Sequence, residues 1–233
     1  IDKTRFAIST EETRYYLNGI YLHGATGDNG PVLRAVATDG HRLARIDSEM
    51  PEGAEGMPGV IVPRKAIAEL RKLVDEIDGA VTIDLSDTKI HFAFDTAVLT
   101  SKLIDGTFPD YERVIPAAND KVLEMDAASF VQAVDRMAAI STDKSRSIKL
   151  ALEKDRMQLS ANSPDSASGE EELPVDYDGP AIEIGFNSRY VLEMAGNFEG
   201  ERMRFTMADA VSPTIVNDTS DDRTLYVLMP MRV

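Results

Sequence analysis

The sequence predicts an α+β protein made of two tandem copies of one domain, each with two helices packed on one face of antiparallel sheets. Three observations point there: a string that repeats at long range, strand-like stretches alternating with period two, and helical stretches that punctuate them at matching places. The string AISTEETR at 7–14 returns as AISTDKSR at 139–146, with five of eight residues identical, Glu11 facing Asp143 and Thr13 facing Ser145. The flanks agree in order. VPRKAIAEL at 62–70 corresponds to FNSRYVLEM at 186–194, and LTSKLI at 99–104 to LYVLMP at 225–230. Pro and Asn-Asp punctuate 116–121, which sets the expected domains at 1–118 and 119–233.

Residues 1–8 read as the tail of a helix, with Ile1, Arg5 and Ile8 on one side and no capping residue before them. The expectation is a fragment of a longer chain. A helix over 63–75 has Pro63 at a first-turn position and an apolar stripe of Ile67, Leu70 and Val74, with Arg64, Arg71 and Lys72 off the stripe. The alternation in AVTIDLSDTKIHFAF at 80–94 predicts a hairpin turning near Ser86–Thr88, and 203–218 is its partner in the second copy. Asp126 is placed to cap a helix whose inner face carries Phe130, Val134, Met137 and Ala138, with Gln132 and Arg136 on the other side.

Composition narrows the function. Twenty-five Lys and Arg stand against forty Asp and Glu, a formal net charge of −15 over 233 residues. No apolar run approaches the ~18–20 residues that cross a bilayer as a helix. The absence of cysteine removes disulfides, thiol catalysis and Cys-ligated zinc, and fits a reducing compartment. His23, His41 and His91 are too scattered to suggest a metal site. Taken as a total, the acidity argues against nucleic acid. A total averages over faces, however. Arg14, Arg64, Lys65, Arg71, Lys72, Arg136, Arg146, Lys149 and Arg189 fall on or beside the expected helices, while acidic residues gather at 163–172 and 217–222. A solvated face explains any one basic helix; the repetition points to a shared use.

Three strings stand out. In TDGHRLA at 38–44, Asp39 two residues from His41 invites a catalytic dyad for a small hydrolase or lyase, although no nucleophile offers itself. The other reading is a tight Asp39-Gly40 turn with His41-Arg42 opening the next strand. The corresponding ANSPDSA at 161–167 lacks the His-Arg pair, so only one copy does whatever they do. FPDYERVIP at 108–116 reads as an extended linker packed by Phe108 and Tyr111. YVLMPMRV at 226–233 ends a strand at Pro230 and offers Met229 and Met231, adaptable apolar groups suited to a core or to a peptide-binding surface. No P-loop, dinucleotide, zinc-protease or nucleophile-elbow signature occurs.

The strings RYYLNG (14–19), VATDGHRLA (36–44), VIVPRKAI (60–67), TSKLIDGTFPDYERVIP (100–116), EIGFNSRYVLE (183–193) and YVLMPMRV (226–233) resemble the bacterial β sliding clamps over the whole chain. That family consists of three-domain processivity subunits of the replicative DNA polymerase, and the chain resembles the second and third domains. The resemblance implies a non-catalytic, cytoplasmic protein without cofactor or metal. In it, two full subunits join head to tail around duplex DNA, helices inward, so two domains alone would not close a ring. Arg14, Tyr15, Tyr16, Arg64 and Lys65 would lie near DNA, gripped without sequence preference.

The resemblance also implies a cleft for short Gln-containing peptides from polymerase subunits, the clamp loader and repair proteins. Its matching positions in the earlier strings are Leu17, Thr38, Gly40, His41, Arg42 and Leu43, then Pro109, Arg113 and Val114. Those nearer the C-terminus are Val211, Pro213, Val227, Leu228, Met229, Pro230, Met231 and Arg232. Leu17, Leu43, Val227 and Met229 would form apolar walls, and His41, Arg42 and Met231 the rim. Pro213, where a small polar residue is common, and the terminal Val233 depart from the family pattern and bear on peptide preference. An acidic exterior with basic helices inside reconciles the charge total with DNA: encirclement makes a tight grip unnecessary.

Overall fold

The computed structural model describes residues 1–77, 79–141, 146–163 and 167–232. Two compact units divide the chain, Ile1–Asp110 and Tyr111–Val233. The sequence places the division after residue 118; in the structure 111–118 falls with the second unit, opening on a 3-10 turn at Tyr111–Val114 in which Tyr111 is buried. The repeat strings at 139–146 and 161–167 run into 142–145 and 164–166, which lie outside the described residues, as does Val233.

In the first unit, α1 (Asp2–Arg5) stops too early for Ile8 to share its side, and Thr4 is the residue it buries. A 3-10 segment, Glu12–Leu17, leads into β1 (Gly19–Gly27), β2 (Gly30–Thr38), β3 (Arg42–Glu49) and β4 (Val60–Pro63), an antiparallel set ordered β4-β1-β2-β3. Helix α2 (Arg64–Glu76) follows, and β5 (Thr82–Leu85), β6 (Lys89–Ala93) and β7 (Val98–Lys102) make a three-stranded sheet. The hairpin turn falls where the alternation puts it, closed by the Ser86 N–H on the Lys89 carbonyl at 2.9 Å. Pro63 takes the N-cap rather than the first turn, extended at φ −60° and ψ 145°. Ile67 and Leu70 are buried but Val74 is 42% exposed, at the rim of an apolar hollow that it lines with Leu22, Leu33 and Phe92 of the sheets.

The second unit shows the architecture completely. Strand β8 (Lys121–Asp126) leads into α3 (Ala127–Ile140), then β9 (Ser147–Glu153), β10 (Arg156–Asn162) and β11 (Ser168–Pro174). The pattern repeats as β12 (Ile182–Asn187), α4 (Ser188–Ala195), β13 (Arg202–Met207), β14 (Thr214–Asp218) and β15 (Thr224–Leu228). Each leading strand joins the other half's sheet, giving β11-β10-β9-β12 and β15-β14-β13-β8. This exchange locks the halves together, because neither sheet is complete without the other half. Asp126 caps α3 as expected, its carboxylate accepting the Ser129 N–H at 2.7 Å. Phe130, Val134 and Met137 are buried with Ala133 rather than Ala138. Phe205 on β13 meets Phe130 of α3 and Phe186 of β12 edge to face, with centroids 5.6 and 6.0 Å away, so one ring ties a helix to strands of both sheets.

Most of the basic residues singled out on or beside the helices are engaged by carboxylates. Arg71 is paired with Asp2 and Asp75, Lys72 with Glu69, Arg136 with Glu171, Lys149 with Glu183 and Arg189 with Glu193. The side chains of Arg64 and Lys65 have no ion-pair partner among the described residues, which separates them from the rest.

Candidate functional site

Three surfaces carry the sequence-predicted residues. The first surrounds the Glu12–Leu17 segment, which bends at Arg14 (φ −110°, ψ 49°) and turns Tyr15 outward, 53% exposed. Tyr16 packs edge to face on Tyr15, centroids 5.8 Å apart. Gly106 allows this packing: a side-chain carbon there would sit 3.0 Å from Tyr16 Cβ. The Asn18 carbonyl accepts the Arg64 N–H at 2.9 Å, holding the start of α2 beside the tyrosines. The outcome is an open depression of about 650 Å³ lined by Tyr15, Asn18, Pro63, Arg64, Lys65, Ala68 and Ile104. It joins an exposed ring, two cations and the N–H-rich end of a helix, which suits a phosphate backbone with unpaired bases. Asn18, Pro63, Ala68 and Ile104 are not among the sequence-predicted site residues; Asn18 lies in RYYLNG, but its neutral side chain carries no charge signal.

The second surface is the turn from Thr38 to Arg42. The Asp39 carboxylate accepts the N–H groups of His41 (2.9 Å) and Arg42 (3.0 Å) and the Arg42 Nε–H (3.1 Å). Thr38 Oγ1 donates to the Arg42 carbonyl (2.7 Å) and accepts the Gly40 N–H (3.1 Å). Arg42 also donates to the Phe6 carbonyl at 2.6 Å and lies over the Phe6 ring, 5.2 Å from its centroid. The tight-turn reading therefore accounts for Asp39, whose carboxylate is committed to backbone and Arg42. Gly40, at φ +89°, stands in the left-handed region that a turn this tight requires. Gly40 and His41 face outward, whereas Arg42, Leu43 and Leu17 are buried. Pro109, at the end of this unit, is exposed. Phe108 stacks on Tyr21 at 4.9 Å.

The third surface, in the second unit, surrounds the end of β15. Val227 and Leu228 are buried, Met229 is 38% exposed, and Met231 returns to the fold by donating its N–H to the Gly185 carbonyl at 2.8 Å. Pro230 thus ends the β15 ladder, and a single antiparallel bridge then ties Met231 to Gly185 of β12 in the other sheet. Val211, 72% exposed, is held out by Asp209, whose carboxylate accepts the N–H groups of Val211 (2.8 Å) and Ser212 (2.6 Å). Those bonds hold the Asp209 carboxyl below its ordinary range. The Pro213 carbonyl accepts the Asn119 side chain at 3.0 Å, fixing the following loop. Arg113, Val114 and Arg232 are exposed. Of the four expected wall residues, Leu17, Leu43 and Val227 are core; Met229 alone is open, with Val211 and Val114 the further exposed apolar groups.

Among the described residues, no group of three or more His, Asp or Glu that could hold a metal ion occurs and no helix is long and apolar enough to cross a membrane.

Comparison with known proteins decides the family. Residues 1–110 match the family model of the DNA polymerase III beta subunit central domain, and 112–232 that of its C-terminal domain. The chain belongs to the DNA polymerase III beta-subunit family. It is 54% identical over its full length to the beta sliding clamp of Caulobacter vibrioides and spans 63% of that protein. A crystal structure of the Caulobacter crescentus beta sliding clamp matches it with TM-score 0.98 and 55% identity, covering all of this chain and 62% of that one. The Bartonella birtlesii sliding clamp, crystallised bound to griselimycin, matches with TM-score 0.96 and 55% identity, covering the same shares. The chain therefore corresponds to somewhat under two thirds of these relatives, and the two family domains fall on the two compact units.

Proposed function

We propose that this chain is the central and C-terminal part of a DNA sliding clamp, a non-catalytic processivity factor that encircles duplex DNA and tethers a replicative polymerase. The observation that carries the reading is the consecutive match of both units to the beta-subunit family, at 54% identity to a sliding clamp over every residue. In the longer protein, two subunits would close head to tail and act in the cytoplasm.

The DNA-facing role falls to Arg14, Tyr15, Tyr16, Arg64 and Lys65. Support comes from the depression that gathers Tyr15, Arg64 and Lys65, whose cations are left without carboxylate partners while their neighbours are paired. Contacts of this kind reach phosphate rather than base edges, so they hold without fixing position. Peptide binding falls to Thr38, Gly40, His41, Arg42 and Pro109 in the first unit, and to Arg113, Val114, Val211, Pro213, Met229, Pro230, Met231 and Arg232 in the second. Leu17, Leu43, Val227 and Leu228 support these from the core. The partners are Gln-containing segments of polymerase subunits, clamp loader and repair proteins. A dyad hydrolase finds no support, since Asp39 is spent on its turn.

Calorimetry with a Gln-containing polymerase-derived peptide tests the reading. Saturable binding is expected, weakened about thirtyfold or more in Met229→Asp, as for loss of an interface hot spot. Absent or Met229-independent binding overturns it.

A further inference from the structure

Arg14 touches both proposed surfaces of the first unit. Its Nε–H and one Nη2–H donate to the two carboxylate oxygens of Glu11, each at 2.8 Å, in the two-pronged geometry that arginine also offers to phosphate. The remaining nitrogen, Nη1, lies against the turn: a side-chain carbon at Gly40 would stand 2.6 Å from it. The Asp39 charge acts on the same guanidinium. Arg14 therefore sits between the tyrosines that follow it and the Thr38–Arg42 turn, oriented by Glu11 and with Nη1 against one side of Gly40, the residue of that turn at positive φ, whose other side stays open to solvent.

We propose that Arg14 is a positioning residue that couples the DNA-facing surface to the peptide-binding turn, with Glu11 and a nucleic-acid phosphate competing for its guanidinium fork. This rests on the function proposed above. With Glu11 in the fork, Arg14 lies over Gly40 and the turn is held in one arrangement. A phosphate approaching beside Tyr15 and Tyr16 offers the fork an equivalent pair of oxygens and draws Arg14 off Gly40. The uncovered turn keeps its Asp39 and Thr38 bonds but gains freedom at Gly40, whose backbone tolerates conformations closed to other residues. A peptide that reads the ordered turn then binds more weakly, since ordering must occur on binding. Linkage makes the effect reciprocal: bound peptide weakens the phosphate contact by the same factor, about fivefold.

The test uses the full 233-residue chain, isotopically labelled for NMR, with a short oligothymidylate as probe. In the unaltered chain the oligonucleotide is expected to shift the ring signals of Tyr15 and Tyr16 and the amides of Gly40 and His41 together. In Arg14→Gln the tyrosine response needs more oligonucleotide, because one phosphate-reaching cation is lost, and at saturation the turn amides no longer respond with it, while amide exchange at Gly40 and His41 is about tenfold faster without any oligonucleotide. Glu11→Gln, which retains the arginine, strengthens the response of the turn by removing the competing charge. Turn amides that respond equally in Arg14→Gln, or exchange there at the original rate, overturn the coupling and leave the DNA-facing reading intact. No response at the tyrosines or the turn overturns the DNA-facing reading together with the coupling built on it.

Discussion

Two aspartates anchor turns by the same chemistry and to different ends. Asp39 in the first unit gathers the N–H groups of His41 and Arg42 and leaves Gly40 and His41 facing solvent. Asp218 at the end of β14 in the second unit gathers the N–H groups of Glu199 (2.8 Å), Gly200 (2.9 Å) and Ser220 (2.9 Å) and the Ser220 hydroxyl (2.7 Å), and is itself 3% exposed. Burial alone would raise the Asp218 carboxyl, but the bonds from Gly200, Ser220 and Glu199 outweigh it and bring it down to about 2. Beside it, burial and the carboxylates of Asp221, Asp218 and Glu199 push the Tyr226 hydroxyl well above its ordinary value. The corner at Asp218 is closed and serves stability; the turn at Asp39 spends the same bonds on holding an exposed surface in place.

The contrast breaks first at Asp218. Asp218→Ala strands three backbone donors in a buried corner and should cost about 3 kcal/mol, since each unsatisfied buried group costs roughly 1–3 kcal/mol. A thermal melt checks this; a shift of a degree or less would mean water replaces the carboxylate. Peptide affinity should be unchanged in the same variant, because the corner carries no binding residue. Acid should act on the corner next. The folded carboxyl titrates near 2 and the unfolded one near 3.8, so its contribution is complete above about pH 4 and lost as pH falls toward 2. The shift is worth about 2 kcal/mol, and unfolding followed across that window should lose it in the unaltered chain and not in Asp218→Ala.

How far such roles can be read from sequence depends on whether they are local. The Asp126 cap, the 80–94 hairpin and the turn at Asp39-Gly40 involve neighbours in the chain, so residue type and spacing reveal them. The exchange of β8 and β12 between sheets is not local: β8 pairs with β13 about eighty residues on, and alternation records only that a strand exists. The basic helices misled for the same reason. Arg136 meets Glu171 and Lys149 meets Glu183 across the fold, pairings that period and composition do not show, so the cations on or beside the helices do not all share one use. At the candidate site, the strings of the family resemblance name Tyr15, Arg64 and Met229, which are exposed, together with Leu17, Leu43 and Val227, which are buried, and apolar type alone does not say which side of a surface a residue occupies.

The open side of the comparison yields smaller changes. Asp39→Ala frees two N–H groups that can reach water, but leaves Arg42, 7% exposed, without its carboxylate. The expected cost is about 2 kcal/mol, below the cost at Asp218, because the Phe6 carbonyl still accepts from Arg42. Unlike Asp218→Ala it should also reduce peptide affinity, by about tenfold, through loss of a fixed turn. Equal loss of affinity in both variants would show that global softening, not the turn, controls binding.

The smallest effect on the fold and the clearest on charge belongs to Arg64→Gln combined with Lys65→Gln. Both side chains are exposed and neither has an ion-pair partner among the described residues, so the melting temperature should stay where it is. Each phosphate contact adds about 0.7 to the slope of log affinity against log salt for a single strand. If both residues reach phosphate, the double variant should flatten that slope by about 1.4 for an oligothymidylate. The same pair of changes at Arg71 and Lys72 should leave the slope alone, because those cations are already spent on Asp2, Asp75 and Glu69. An equal flattening from either pair would mean that the acidic chain responds to total charge, and that the depression beside Tyr15 has no special claim on the backbone of DNA.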